Sequence, residues 1–266
     1  MMTHAMEGFA RLCDDGWLQG WHERNGGNLS YRMSAEDVAE CGKLLEGTRT
    51  FPLPKPIPEV AGEYFMVTGT GRYMRNVKID PQHSFGIIRL DDKGEAYRIL
   101  WGLEGGKPTS ELPTHLLNHA VRFQATGGKC RVIYHAHPAN ITALTYTIRP
   151  DARTLTRILW QSETECAVVF PEGIGIVPWM VPGGTEIAEA TARLIKLYPA
   201  VVWSYHGAFA SGNSFDEAFG LMHTIEKAAE IYLKAKSVGI VNTITDDDFR
   251  VLAKAFGVTL NPAFLD

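Results

Sequence analysis

The sequence predicts an α/β protein, a three-layer α/β/α arrangement with a central mixed, largely antiparallel sheet. Short apolar runs that stop at glycine or proline alternate with segments whose apolar residues recur at helical spacing. Two of the runs, 85–90 and 96–101, are separated only by Asp91-Asp92-Lys93-Gly94, a hairpin turn that makes them antiparallel neighbours. Strands mixed with hairpins and helices call for a sheet covered on its faces by helices. Neither glycine loop has the spacing of a dinucleotide or nucleotide-triphosphate site.

The elements follow in order. Phe9, Leu12, Cys13, Trp17, Leu18 and Trp21 mark an amphipathic helix over 5–22. Asn25-Gly26-Gly27-Asn28 then turns into a strand, and its glycines can bare backbone N–H groups to an oxyanion. From 34 to 62 the chain is polar and then proline-rich, with prolines at 52, 54, 56 and 58, and it is expected to run extended over the surface. Residues 64–68 form a strand opening into Gly69-Thr70-Gly71-Arg72, a second loop suited to an anion. Pro108-Thr109-Ser110-Glu111-Leu112-Pro113 starts a helix running to about 126. Beyond residue 138 the pattern gives helices at 139–147 and ahead of 162, strands at 166–170 and 174–177, and a helix at 185–197. A strand over 200–206, a helix opened by Ser214 and Glu217 that runs to about 237, and a last helix over 246–256 complete the chain.

A chain of 266 residues, 45% of them hydrophobic, can bury a full core, and no repeat or low-complexity linker divides it. One domain over 1–266 is expected. A formal net charge of −4 gives no basic field, so nucleic acid is not an expected partner. The amino terminus lacks a signal pattern, and no apolar stretch approaches the roughly 20 residues of a membrane span. A cytoplasmic protein with no membrane partner is expected. Cys13, Cys41, Cys130 and Cys166 form no Cys-x-x-Cys pair and read as reduced core thiols.

The chemistry gathers at His135-Ala136-His137-Pro138, where an apolar strand ends. A strand's period of two sends both imidazoles to one face, roughly 7 Å apart along the chain, a span they can close by leaning onto one metal ion. A catalytic zinc usually takes three protein ligands, and His206, at the end of the apolar run 200–206, is the best third. Glu111, His115 and His119, spaced by four on one helical face, offer an alternative cluster. No cysteine stands where a closed structural zinc site would need one.

Taken together, Trp21-His22-Glu23-Arg24-Asn25-Gly26-Gly27-Asn28-Leu29, Val67-Thr68-Gly69-Thr70-Gly71, residues 108–113, His135-Ala136-His137 and the distant His206-Gly207 resemble the class II aldolase/adducin family over nearly the whole chain. The resemblance implies one Zn2+ per subunit on His135, His137 and His206, with Glu111 beside it as a catalytic carboxylate. It implies a substrate phosphate among Asn25, Gly26, Gly27, Asn28, Thr70, Gly71 and Ser110, where Thr70 replaces the serine usual in the second loop. It implies a small-molecule ketose 1-phosphate substrate, L-rhamnulose 1-phosphate, cleaved reversibly to dihydroxyacetone phosphate and L-lactaldehyde. L-Fuculose 1-phosphate cleavage and pentulose-phosphate 4-epimerisation are the alternatives on the same scaffold. It further implies a homotetramer in which Glu165 of a neighbouring subunit serves the aldehyde end. An adducin-like binding module should lack the three histidines present here.

Overall fold

The computed structural model describes residues 2–266. Its helices are α1 (His4–Leu18), α2 (Ala35–Cys41), α3 (Pro81–Ser84), α4 (Leu112–Ala125), α5 (Ala139–Leu144), α6 (Ala152–Ser162), α7 (Cys166–Val169), α8 (Thr185–Ile195), α9 (Phe215–Val238) and α10 (Asp246–Phe256). Its strands are β1 (Asn28–Arg32), β2 (Arg49–Pro52), β3 (Tyr64–Thr68), β4 (Phe85–Leu90), β5 (Ala96–Gly102), β6 (Val132–Ala136), β7 (Gly175–Val177), β8 (Ala200–Trp203) and β9 (Gly207–Gly212). All nine join one sheet in the order β2-β5-β4-β3-β1-β6-β9-β8-β7. Only β7 and β8 run parallel; every other pairing is antiparallel, so the sheet is mixed and largely antiparallel as expected.

Side-chain alternation builds a layer on each face. Met66, Tyr134, Ala136 and Val202 face one side and pack with Phe9 of α1, Leu155 of α6 and Met222 of α9. Phe65, Val67 and Ile88 face the other and pack with Leu116 of α4, and Ile133, Val201 and Phe209 join Ile187 of α8 on that same side. Antiparallel pairing of β1 with β3 and β6, and of β6 with β9, brings the start of β1, the ends of β3 and β6 and the start of β9 to one end of the sheet. The candidate site is built there.

Several elements differ from the sequence expectation. Residues 166–170 are helical at Cys166–Val169, because Val168 and Val169 N–H groups donate to the Glu165 carbonyl and Cys166 and Ala167 are buried in the core beside α9. A short apolar run reads the same in a buried helical turn as in a strand. The proline-rich run is not wholly superficial. β2 is the sheet's edge, where proline costs no ladder bond, and Leu53, Ile57 and Val60 are buried in the second core. The polar stretch before it holds α2, fixed by a reciprocal capping box between Ser34 and Asp37. On α9, Ser214 accepts from the Glu217 N–H, but Glu217 returns its bond to the Asn213 N–H.

All four cysteines are free and buried. Among the described residues no helix is long and apolar enough to cross a membrane.

Candidate active site and metal centre

The register of the sheet places the first candidate ligand. β6 lies between β1 and β9, and His135 sits opposite Asn28 on one side and Phe209 on the other, so the three side chains share a face. The His135 ring stacks on Phe209 with centroids 4.3 Å apart. Its Nδ1 donates to the Ala208 carbonyl at 3.0 Å, which leaves the Nε2 lone pair for a metal. His137, one residue past the strand, is held in the same way: Nδ1 donates to Glu23 Oε1 at 2.7 Å and Nε2 is left bare.

His206 reaches the pair from a hairpin turn and not from a strand end, since β8 stops at Trp203. The turn closes through His206 N–H to the Trp203 carbonyl at 3.1 Å, with Tyr205 in the left-handed region at φ 66°. Thr145 pins it by accepting the Tyr205 N–H at 3.0 Å.

The three Nε2 atoms converge. His137 Nε2 lies 3.3 Å from His135 Nε2 and 3.1 Å from His206 Nε2. Tetrahedral coordination at 2.0–2.1 Å would set ligand nitrogens about 3.3 Å apart, so the donor set fits zinc. Burial, reinforced by the neighbouring imidazoles, holds His135 well below the usual histidine range and brings His206 down to about 4. Neutral imidazole is the form a metal requires.

Glu111 stands beside the cluster, its Oε2 3.7 Å from His135 Nε2, and is 8% exposed. Burial raises its pKa, opposed by the hydrogen bond that Asn28 Nδ2 donates to Oε2 at 2.9 Å. The alternative cluster of Glu111, His115 and His119 does not assemble. Glu111 is the N-cap residue of α4, outside the helical repeat, and His115 and His119 are turned onto Ser30 of β1.

The two glycine loops and the start of α4 meet at the same end of the sheet. Thr68 Oγ1 accepts the Leu29 N–H at 3.1 Å, Thr109 N–H donates to the Thr68 carbonyl at 2.8 Å, and Thr70 N–H donates to the Lys107 carbonyl at 3.0 Å. Asn25, Thr70, Gly71 and Ser110 are exposed, and the Gly71 and Ser110 N–H groups have no protein partner among the described residues. Gly27, at φ 73°, allows the first loop to pass close under β6, since a Cβ there would lie 2.7 Å from the His135 carbonyl oxygen. Asn28 is placed differently from the other loop residues: it is buried, and its amide is engaged by Glu111 and His115. Glu165 is exposed at the start of α7 and, among the described residues, makes no hydrogen bond or ion pair with the histidines. Sequence reasoning assigned no role to Glu23, Phe209 or Thr145, because their partners are 60 or more positions away in the chain.

The profile described as Class II Aldolase and Adducin N-terminal domain matches residues 7–233. The chain belongs to the class II aldolase and adducin family. It is 47% identical over 257 residues to the rhamnulose-1-phosphate aldolase of Mannheimia succiniciproducens, covering 96% of this chain and 94% of that protein. The rhamnulose-1-phosphate aldolase of Shigella sonnei is 46% identical over the same coverage. Among solved structures, a sugar-phosphate aldolase from Thermotoga maritima superposes with a TM-score of 0.76 at 30% identity, over 90% of this chain and 97% of that one. Class II aldolases are metal-dependent lyases, and this member of the family has the three-imidazole cluster that such chemistry needs.

Proposed function

We propose that the chain is a zinc-dependent aldolase that cleaves L-rhamnulose 1-phosphate reversibly to dihydroxyacetone phosphate and L-lactaldehyde. The observation that carries the reading is the convergence of three imidazoles with a buried carboxylate 3.7 Å from one of them. The names of the relatives at 46–47% identity support the substrate.

His135, His137 and His206 would hold one zinc per chain, with Ala208 and Glu23 fixing the tautomers of the first two. Zinc bound there supplies a Lewis acid for the electron pair released when the bond between the third and fourth carbons breaks. Across the whole reaction a proton leaves the hydroxyl on the fourth carbon and one arrives at the third. Glu111 is the residue to move the proton at the third carbon. Its Oε2 accepts from Asn28, and Oε1, which accepts from no protein group among the described residues, is left free for the substrate. Asn25, Gly26, Gly27, Thr70, Gly71 and Ser110 line a cradle for the 1-phosphate, to which the unpartnered Gly71 and Ser110 N–H groups and the Thr70 and Ser110 hydroxyls donate. The Gly26 and Thr70 N–H groups are held by the Glu23 and Lys107 carbonyls. Asn28 borders the cradle with its amide directed at Glu111. Thr70 keeps the hydroxyl of a serine and adds a methyl. Glu165 acts on the aldehyde end of a neighbouring copy in a cyclic homotetramer, in keeping with its exposure on a single chain.

The test is incubation with L-rhamnulose 1-phosphate. Dihydroxyacetone phosphate, read by coupled reduction, and free L-lactaldehyde should appear in equal amounts, and unphosphorylated L-rhamnulose should react far more slowly. A stoichiometric epimer without triose would replace the reading with an epimerase. Strong preference for L-fuculose 1-phosphate would keep the chemistry and change the substrate.

A further inference from the structure

Behind Glu111 runs a row of buried polar groups that the reaction as written does not use. Asn28 Nδ2 donates to Glu111 Oε2 at 2.9 Å, and Asn28 Oδ1 bonds to His115 Nε2. Ser30 Oγ lies 2.6 Å from His115 Nδ1 and 2.8 Å from His119 Nε2. Ser30, His115 and His119 are fully buried, with Phe209 against the His115 ring and Phe65 against the His119 ring.

The direction of every bond follows from one end. An ionised carboxylate only accepts, so Asn28 must turn its NH2 to Glu111 and its carbonyl to His115. That carbonyl also only accepts, so His115 carries its hydrogen on Nε2. Burial brings His115 down to about 3, so the ring is neutral and Nδ1 is bare. The Ser30 hydroxyl therefore donates to Nδ1, and His119 Nε2–H donates to Ser30 Oγ. All four bonds donate toward Glu111. His119 Nδ1, the far end, has no partner among the described residues, in keeping with a bare lone pair there and the hydrogen on Nε2. Flipping Asn28 would set its carbonyl against the carboxylate and its NH2 against the His115 N–H, two repulsive contacts.

We propose that His115, backed by Ser30 and His119, is a positioning residue that locks the Asn28 amide and thereby aims Glu111 Oε1 at the substrate. The proposal rests on the reading of Glu111 as the proton-moving group. Misplacing such a group by a fraction of an ångström is costly to turnover and nearly neutral to binding.

The test uses the zinc-loaded protein. His115→Phe keeps a ring and removes both nitrogens, whereas His115→Gln returns a donor to the Nε2 position. His115→Phe should lower kcat by about 5- to 30-fold, the weight of one buried hydrogen bond, with KM and zinc content within about twofold of the parent. His115→Gln should recover most of the loss, and His115→Phe should have no further effect on top of Glu111→Gln. Equal losses in the two His115 variants, full additivity with Glu111→Gln, or a His115→Phe kcat within twofold of the parent would overturn the proposal. Near-parental turnover of Glu111→Gln alone would instead overturn the role of Glu111. In that event 15N spectra of histidine-labelled protein decide on the lock: His115 and His119 as Nε2–H tautomers support it, and Nδ1–H forms refute it.

Discussion

His206, Glu23 and Glu111 stand at successive distances from the proposed metal, and each loss should read differently. His206→Ala removes one of three ligands and should weaken zinc binding by more than about 100-fold, whereas Glu23→Gln, which only loosens the His137 tautomer, should cost about 10- to 100-fold. His115→Ala should retain zinc. Metal analysis after dialysis checks all three, and zinc lost from His115→Ala but kept by His206→Ala would move the centre onto α4. Glu111→Gln keeps shape and cannot accept a proton, so zinc and fold should persist while kcat falls by roughly 10²–10⁴. Turnover within a fewfold of the parent would take Glu111 out of the mechanism.

The glycine loops show how an element's backbone can matter more than its side chains. Gly27 and Gly71 both have positive φ, but only at Gly27 would a Cβ strike another strand, at the His135 carbonyl. Gly71→Ala should therefore cost only the left-handed penalty, about 1–2 kcal/mol. Gly27→Ala adds a backbone clash directly beneath a proposed metal ligand and should cost more than Gly71→Ala in urea unfolding, with weakened zinc binding as well. Equal destabilisation by the two substitutions would show that the first loop can move away from β6 freely.

Over the whole molecule, the buried neutral histidines set the response to acid. Burial is the main cause that brings both His22 and His115 to about 3 in the folded chain, against about 6.5 when unfolded. Between those values the unfolded chain binds more protons, so stability rises with pH through this window and is lost as pH falls below 6.5. From pH 7.5 to 5.0 each of the two should cost about 2 kcal/mol. Unfolding of chelator-treated protein at the two pH values measures this without metal release, and an unchanged midpoint would mean these histidines are not buried as neutral rings.

What the chain determined locally was legible in its order of residues. The strands at 64–68 and 85–90 and the helix at 246–256 fall where periodicity and turn residues put them. The spacing of His135 and His137 fixed their common face, because alternation is a property of one extended segment. Three outcomes were left to the tertiary structure. Residues 166–169 became helical because burial beside α9 accepts an apolar run in either form. His206 arrived on a turn held by Thr145, which lies 60 positions upstream. Glu111, His115 and His119, evenly spaced on paper, were divided between the His135, His137 and His206 cluster and Ser30. That division depends on where α4 begins and on which face of β1 it covers, and both are set by packing between segments about 85 residues apart, which no local pattern encodes.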